Sequence, residues 1–105
     1  MKQKFDETRK SHRRQVGHAD EIETSMMLAI APGLVKISEA VNEGPSLPDV
    51  LSFEPDDLAR VSFGWSAKEL SKSGVIGSPL LATSEAGKTL LDFAVEAISR
   101  IMRDL

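Results

Sequence analysis

The chain has 105 residues and a net charge of −3, with 41% hydrophobic and 28% charged residues. This length and composition are typical of one globular domain with one hydrophobic core. No stretch approaches the roughly 18 to 20 apolar residues that span a bilayer, which excludes a transmembrane helix. The charged N-terminus is not followed by an apolar segment, so we expect a cytoplasmic protein rather than a secreted one. The absence of cysteine excludes disulfides and thiolate zinc sites.

The charges are unevenly distributed along the chain. Residues 1–16 hold six of the 13 Lys and Arg residues and only two of the 16 acidic residues, Asp6 and Glu7. A basic arm of this kind can bind nucleic acid, but it is also typical of a solvated tail or an exposed helix. Phe5 stands alone among these charges, without a second aromatic residue on which bases could stack. We therefore predict a basic tail or helix over residues 1–16, a separate region over residues 17–105, and no nucleic-acid partner.

The first clear helical pattern begins near Asp20. Asp20 and Glu23 have the spacing of a capping box, in which two residues satisfy the free N–H groups of a helix start. Apolar residues then recur every four positions from Ile22 to Ile30, which indicates one apolar helix face. Pro32 ends the pattern. The sequence therefore predicts a helix of about ten residues, with His18 in the loop before it.

The middle of the chain has weaker signals. Residues 34–37 (LVKI) form a short apolar piece before a loop rich in proline and acidic residues. Residues 61–65 (VSFGW) alternate between apolar and small residues, which predicts a short strand with one buried face. Ser66 and Glu69 have a second capping-box spacing, which predicts a helical turn through about Leu70.

The final segment predicts a long amphipathic helix. Thr83 or Ser84 caps its start, and the helix runs to about Asp104. Its predicted apolar positions are Leu90, Leu91, Phe93, Ala94, Ala97, Ile98 and Ile101. Its opposite side carries the charged residues Lys88, Asp92, Glu96, Arg100 and Arg103.

The candidate chemical residues are concentrated at the start of the first of these helices. His18, Asp20, Glu21 and Glu23 lie within six residues. Carboxylates at a helix N-terminus are stabilised by the helix dipole, so capping alone explains them. An imidazole beside carboxylates is also what a divalent metal site or a general base uses. Their spacing alone leaves both interpretations open.

Several ordered blocks of the sequence resemble one known family. Residues 18–29, HADEIETSMMLA, resemble the His-Ala-Gly-Glu-x-Glu-Thr-Ser-x-Met-Leu signature of the creatininase (creatinine amidohydrolase) family. Residues 31–35 (APGLV), 73–79 (SGVIGSP) and 82–88 (ATSEAGK) are similar to further blocks of that family, in the same order. Several ordered blocks are far more specific than one short motif.

This resemblance implies a fold, a reaction and a set of site residues. The implied fold is α/β, with helices packed on a small, mainly parallel sheet, and the family usually forms homo-oligomers. The implied reaction is hydrolysis of a cyclic or linear amide C–N bond, in which a divalent ion, zinc or manganese, activates water. His18 matches the catalytic histidine that accepts and then donates a proton. Glu21 matches an expected metal ligand, and Glu23 matches a carboxylate that binds the metal or orients its ligands, with capping equally open.

The chain also departs from the family pattern. Asp20 replaces a glycine, which would be unfavourable if the backbone there required a positive φ. Further family ligands, in a Glu-x-His-Gly segment, a following Asp and an Asn-Gly-His-Gly-Gly-Asn loop, have no counterpart in this sequence. We therefore expect a truncated, C-terminal part of such an enzyme, inactive alone, that obtains its metal site in a homo-oligomer or from a complementing subunit. A non-catalytic assembly or interaction module is the alternative.

Overall fold

The computed structural model describes residues 2–11, 17–44 and 66–105. These ranges contain four α-helices: α1 (Lys2–Thr8), α2 (Glu21–Ile30), α3 (Ala67–Leu70) and α4 (Ser84–Asp104). They also contain three short 3₁₀ helices, at Pro32–Leu34, Ile37–Glu39 and Pro79–Leu81. The basic N-terminal segment therefore begins as a helix, and α1 packs against α4.

The expected helices on a small parallel sheet are not found, and this prediction was wrong for the described part of the chain. In residues 2–11, 17–44 and 66–105, β pairing is limited to two isolated antiparallel bridges, His18 with Ile76 and Glu43 with Gly77. A strand needs consecutive paired residues, whereas each of these bridges joins only one residue pair. The apolar piece at residues 34–37 lies where one 3₁₀ helix ends and the next begins. The predicted strand at residues 61–65 lies outside the described residues.

Helix α2 begins and ends where the sequence predicts. Asp20 is its N-cap, with backbone angles in the extended region, and the Asp20 side chain accepts a hydrogen bond from the Glu21 N–H. The predicted apolar face is only partly buried, since Ile22 is 2% exposed and Ile30 is 64% exposed. The buried face instead includes Ser25, whose hydroxyl accepts the Thr83 N–H at 3.1 Å. This polar contact joins the middle of α2 to the start of α4.

Helix α4 has the predicted cap and the predicted bounds. Thr83 is the N-cap, and its hydroxyl accepts the Ala86 N–H at 3.2 Å. The first half of α4 packs on α2, where Gly87 and Leu90 are buried. A Cβ atom at Gly87 would lie less than 3.0 Å from backbone atoms of Ser25 and Met26. The two helices therefore approach closely because position 87 has no side chain.

The second half of α4 extends past its partner helix. With 10 residues, α2 is about 15 Å long, whereas the 21 residues of α4 span about 31 Å. Large apolar side chains on this second half are exposed: Val95, Ile98, Ile101 and Met102. Among the helices of the described ranges, none is long and apolar enough to cross a membrane.

The short helix α3 has the predicted capping box at its start. The Glu69 carboxylate accepts the Ser66 N–H at 2.8 Å, and the Ser66 hydroxyl accepts the Glu69 N–H at 3.4 Å. The Ser66 hydroxyl also donates to the Glu69 carboxylate, at 2.8 Å. The two hydrogen bonds that this carboxylate accepts from Ser66, the backbone N–H first, lower the pKa of Glu69. Leu70, at the end of this helix, is one of the three large buried apolar side chains among the described residues, with Ile22 and Leu90.

Candidate functional site

His18 lies in the loop before α2, and the N–H groups of three consecutive residues there donate hydrogen bonds that hold its backbone in place. The Gly17 N–H donates to the Asp20 carboxylate at 3.1 Å. The His18 N–H donates to the Ile76 carbonyl at 3.0 Å, and the His18 carbonyl accepts the Ile76 N–H at 2.8 Å. The Ala19 N–H donates to the Glu23 carboxylate at 2.6 Å. His18 itself remains exposed, so a fixed backbone presents an accessible imidazole.

The strained residue of this loop is Ala19 and not Asp20. Ala19 has φ +48°, in the left-handed region that residues with a side chain rarely adopt. Asp20 has φ −82° and ψ 177°, which is ordinary extended backbone. The replacement of the family's glycine by Asp20 therefore causes no backbone strain at that position. The strain lies next to His18, where surrounding hydrogen bonds maintain it.

The Asp20 carboxylate is the centre of the hydrogen bonding in this loop. It is 0% exposed and accepts three backbone N–H groups. One oxygen accepts from Gly17, and the other accepts from Glu21 at 2.6 Å and from Ser78 at 2.9 Å. A Cβ atom at Gly77 would lie less than 3.0 Å from three atoms of the Asp20 side chain. The loop over residues 73–79 therefore packs directly on this carboxylate.

A second carboxylate fixes the other side of the same loop. The backbones of Glu43 and Gly77 exchange hydrogen bonds at 2.6 and 3.0 Å. The Glu43 carboxylate accepts the N–H groups of Lys72 and Ser73 and the Ser73 hydroxyl. These bonds, the Ser73 hydroxyl first and the Lys72 N–H second, lower the pKa of Glu43 to about 2. The loop at residues 73–79 is thus held between the His18 segment and the segment that contains Glu43.

Glu21, the expected metal ligand, is an internal anchor in this structure. It is 1% exposed, although it is the first residue of α2. One of its carboxylate oxygens accepts the Lys10 N–H at 2.7 Å, and the other accepts the Ser11 N–H at 2.9 Å. Both oxygens are therefore occupied by the segment that follows α1. This arrangement ties the basic N-terminal segment to the start of α2.

The described residues do not by themselves fit a metal ion. Glu23, the second expected ligand, is exposed, and one of its oxygens accepts the Ala19 N–H. Across residues 2–11, 17–44 and 66–105, no group of three or more His, Asp or Glu side chains could hold a metal ion. A divalent ion needs several such donors at once. The described residues therefore contain no complete set of metal ligands.

The structure brings together residues that the sequence analysis did not connect. The sequence places Asp20 at a helix start, as a departure from a family motif, and places residues 73–79 in a separate family block. In the structure, Asp20 binds this block at Ser78, and His18 pairs with it at Ile76. The sequence carries no signal for this contact, because the need of the Asp20 carboxylate for several N–H donors follows from its burial, which only the structure shows.

Comparison with known families is consistent with the sequence blocks. The family model described as "Creatininase: Creatinine amidohydrolase" matches residues 1–102, which is most of the chain. The match includes the basic N-terminal segment as well as the loops around His18. No curated protein and no solved structure matches the chain.

Proposed function

Because the chain belongs to the creatininase family, we propose that it takes part in metal-dependent hydrolysis of a cyclic or linear amide C–N bond in the cytoplasm. In this proposal His18 transfers the proton. The observation that carries it is the combination of a hydrogen-bonded backbone at residues 17–19 with an exposed imidazole. General acid–base catalysis needs a titratable group held in a defined position and accessible to substrate.

The proposed chemistry of His18 follows from the properties of imidazole. An imidazole can accept a proton from an attacking water with one ring nitrogen and later donate one to the leaving nitrogen. The strained φ at Ala19 supports this role, because backbone strain of this kind clusters at functional sites. Glu23 accepts the Ala19 N–H and so restrains the peptide that follows His18.

We propose further that the divalent ion, zinc or manganese, is held mainly by a complementing chain. The motivation is the donor set of the described residues, in which Glu21 is buried with both oxygens occupied. Glu23 is exposed and accepts the Ala19 N–H with one of its oxygens, so it is the better candidate of the two for a shared ligand. Residues of the complementing chain would supply the other ligands and part of the substrate pocket.

The exposed second half of α4 supports association with another chain. Val95, Ile98 and Ile101 are 57–63% exposed and lie three residues apart, so they form one apolar stripe along the helix. Contiguous exposed apolar surface marks interaction sites in soluble proteins. We propose either a homo-oligomer or a complementing subunit at this surface. In either case we expect poor solubility or obligate association when the chain is expressed alone.

The first experiment measures metal content and amide hydrolysis. Purified chain, alone and mixed with a co-purifying partner, is dialysed against zinc or manganese, and the bound metal is quantified by mass spectrometry. Creatinine and a panel of simple amides serve as substrates. We expect little bound metal and no hydrolysis for the chain alone. For the complex we expect both bound metal and hydrolysis. The chain contains two histidines, so His12→Ala is a matched control for His18→Ala.

The comparison of the two variants decides between enzyme and assembly module. Loss of a general acid–base residue lowers the rate by about 10²- to 10⁴-fold. We therefore expect His18→Ala to lower the turnover of the complex by this amount, with metal content unchanged, and His12→Ala to have little effect. A complex that binds no metal and behaves identically with His18→Ala would contradict the enzyme proposal. That result would favour the alternative, a non-catalytic assembly or interaction module.

A further inference from the structure

We infer that Asp20 is a positioning residue, whose buried carboxylate holds the His18 loop against the loop at residues 73–79. The inference rests on the proposed role of His18 for its functional meaning, but its structural content can be tested separately. Asp20 is 0% exposed and makes no contact with solvent. Its side chain therefore acts on His18 through the backbone and not by contact with substrate.

The three N–H groups that Asp20 accepts come from three different segments. Gly17 immediately precedes His18, Glu21 begins α2, and Ser78 belongs to the loop at residues 73–79. One side chain thus joins the histidine loop, the helix start and a segment 58 positions away. Hydrogen bonds to a charged acceptor are stronger than those between neutral groups. Together they compensate for burying the carboxylate and fix the relative position of the segments.

Two sets of hydrogen bonds restrain the position of the His18 backbone. Asp20 holds Gly17 on the N-terminal side of His18, and His18 exchanges two backbone hydrogen bonds with Ile76. Ile76 lies two residues before Ser78, which Asp20 also binds. Asp20 therefore restrains the movement of His18 relative to residues 73–79. Gly77 permits this close packing, because any side chain there would collide with Asp20.

Two substitutions separate the individual bonds. In Asp20→Asn the amide oxygen can still accept from Glu21 and Ser78, but an NH₂ group then faces the Gly17 N–H, where two donors cannot bind each other. Asp20→Ala removes all three acceptors. Asp92→Asn is a matched control, because Asp92 is an exposed carboxylate on α4 that pairs with Lys88.

The test measures local opening by amide hydrogen exchange and NMR on the full chain. In the unaltered protein, the His18 and Ile76 amides should be protected, because each donates to the other residue's carbonyl. In Asp20→Asn we expect their exchange to rise by about tenfold, as expected for loss of one charge-assisted bond. The amides of α4 should be unaffected. The ring signals of His18, assigned with His12→Ala, should shift or broaden in Asp20→Asn and remain unchanged in Asp92→Asn.

Several outcomes would overturn the inference. It fails if the His18 and Ile76 amides exchange without protection in the unaltered protein, a measurement that requires no variant to fold. It also fails if Asp20→Asn changes these amides no more than Asp92→Asn does, or accelerates exchange equally throughout α4. Equal acceleration would indicate a purely structural role. If Asp20→Ala does not fold, Asp20→Asn still decides the question.

The inference and the proposed function can fail separately. If His18→Ala has no effect on any activity while Asp20→Asn opens the loop, Asp20 holds the loop but the proposed catalytic role of His18 is wrong. If His18→Ala abolishes hydrolysis while the loop of Asp20→Asn stays closed, the catalytic proposal stands and the positioning role is wrong.

Discussion

The close approach of α2 and α4 leads to a prediction about Gly87. In Gly87→Ala, the new Cβ atom would lie less than 3.0 Å from the carbonyl carbon and oxygen of Ser25 and 2.9 Å from the Met26 nitrogen. These are backbone atoms, so no rotation of a side chain relieves the collision. The two helices must move apart by about 1 Å or more, which also weakens the packing around the buried Ile22 and Leu90.

The magnitude follows from two opposing effects. Alanine favours an α-helix over glycine by about 1 kcal/mol, so local propensity alone predicts that the variant is more stable. Overpacking costs about 1 to 3 kcal/mol, and a collision with rigid backbone belongs at the upper end of that range. We therefore expect a net loss of about 2 kcal/mol in the free energy of unfolding. For a chain of this size this lowers the melting temperature by roughly 8 to 16 °C.

The assay is urea denaturation at fixed protein concentration, with thermal unfolding as a second measurement. Gly33→Ala is the control, since a Cβ atom at Gly33 would meet no atom within 4 Å and should change stability little. The sign of the effect is decisive. If Gly87→Ala is as stable as the unaltered protein, or more stable, the two helices do not pack in the way described.

Two further predictions concern the carboxylates. In Glu21→Gln, an NH₂ group faces the N–H of Lys10 or Ser11, and the two donors cannot bind each other. We therefore expect the free energy of unfolding, measured by urea denaturation, to fall by about 1 to 3 kcal/mol, even with a chelator present. Unchanged stability would refute the anchoring role. The pKa of Glu43 falls from 4.5 to about 2 in the folded state, so its stabilising contribution is present above pH 4.5 and is lost as the pH falls towards 2. The stability difference between the unaltered protein and Glu43→Gln should therefore shrink over that interval in thermal unfolding scans, and a constant difference would contradict this assignment.

The local features of the helices were predictable because their signals lie within a few residues. Three helices have their capping residues at the positions that the capping rules indicate. These residues are Asp20 for α2, Thr83 for α4, and the pair of Ser66 and Glu69 at the start of α3. Pro32 follows the end of α2 because a proline cannot continue the hydrogen-bond pattern of a helix. The charged side of α4 is exposed, as its periodicity predicts.

The sheet and the role of Glu21 could not be predicted in the same way. The α/β expectation came from the family resemblance, and in the described residues the extended pieces form only single bridges. Glu21 matched a metal-ligand position, yet its oxygens bind a segment 10 and 11 residues earlier in the chain. Spacing along a helix reveals which direction a side chain takes, but not which distant backbone meets it.

The sequence by itself determined the family, the bounds of the main helices and the residues at the start of α2, because motifs and caps depend on neighbouring residues. Only the tertiary structure decided what each carboxylate does. Asp20 accepts an N–H from Ser78, and Ser25 accepts one from Thr83, in both cases 58 positions away. A buried oxygen must find its donors wherever the fold brings them, and no local pattern encodes that distance.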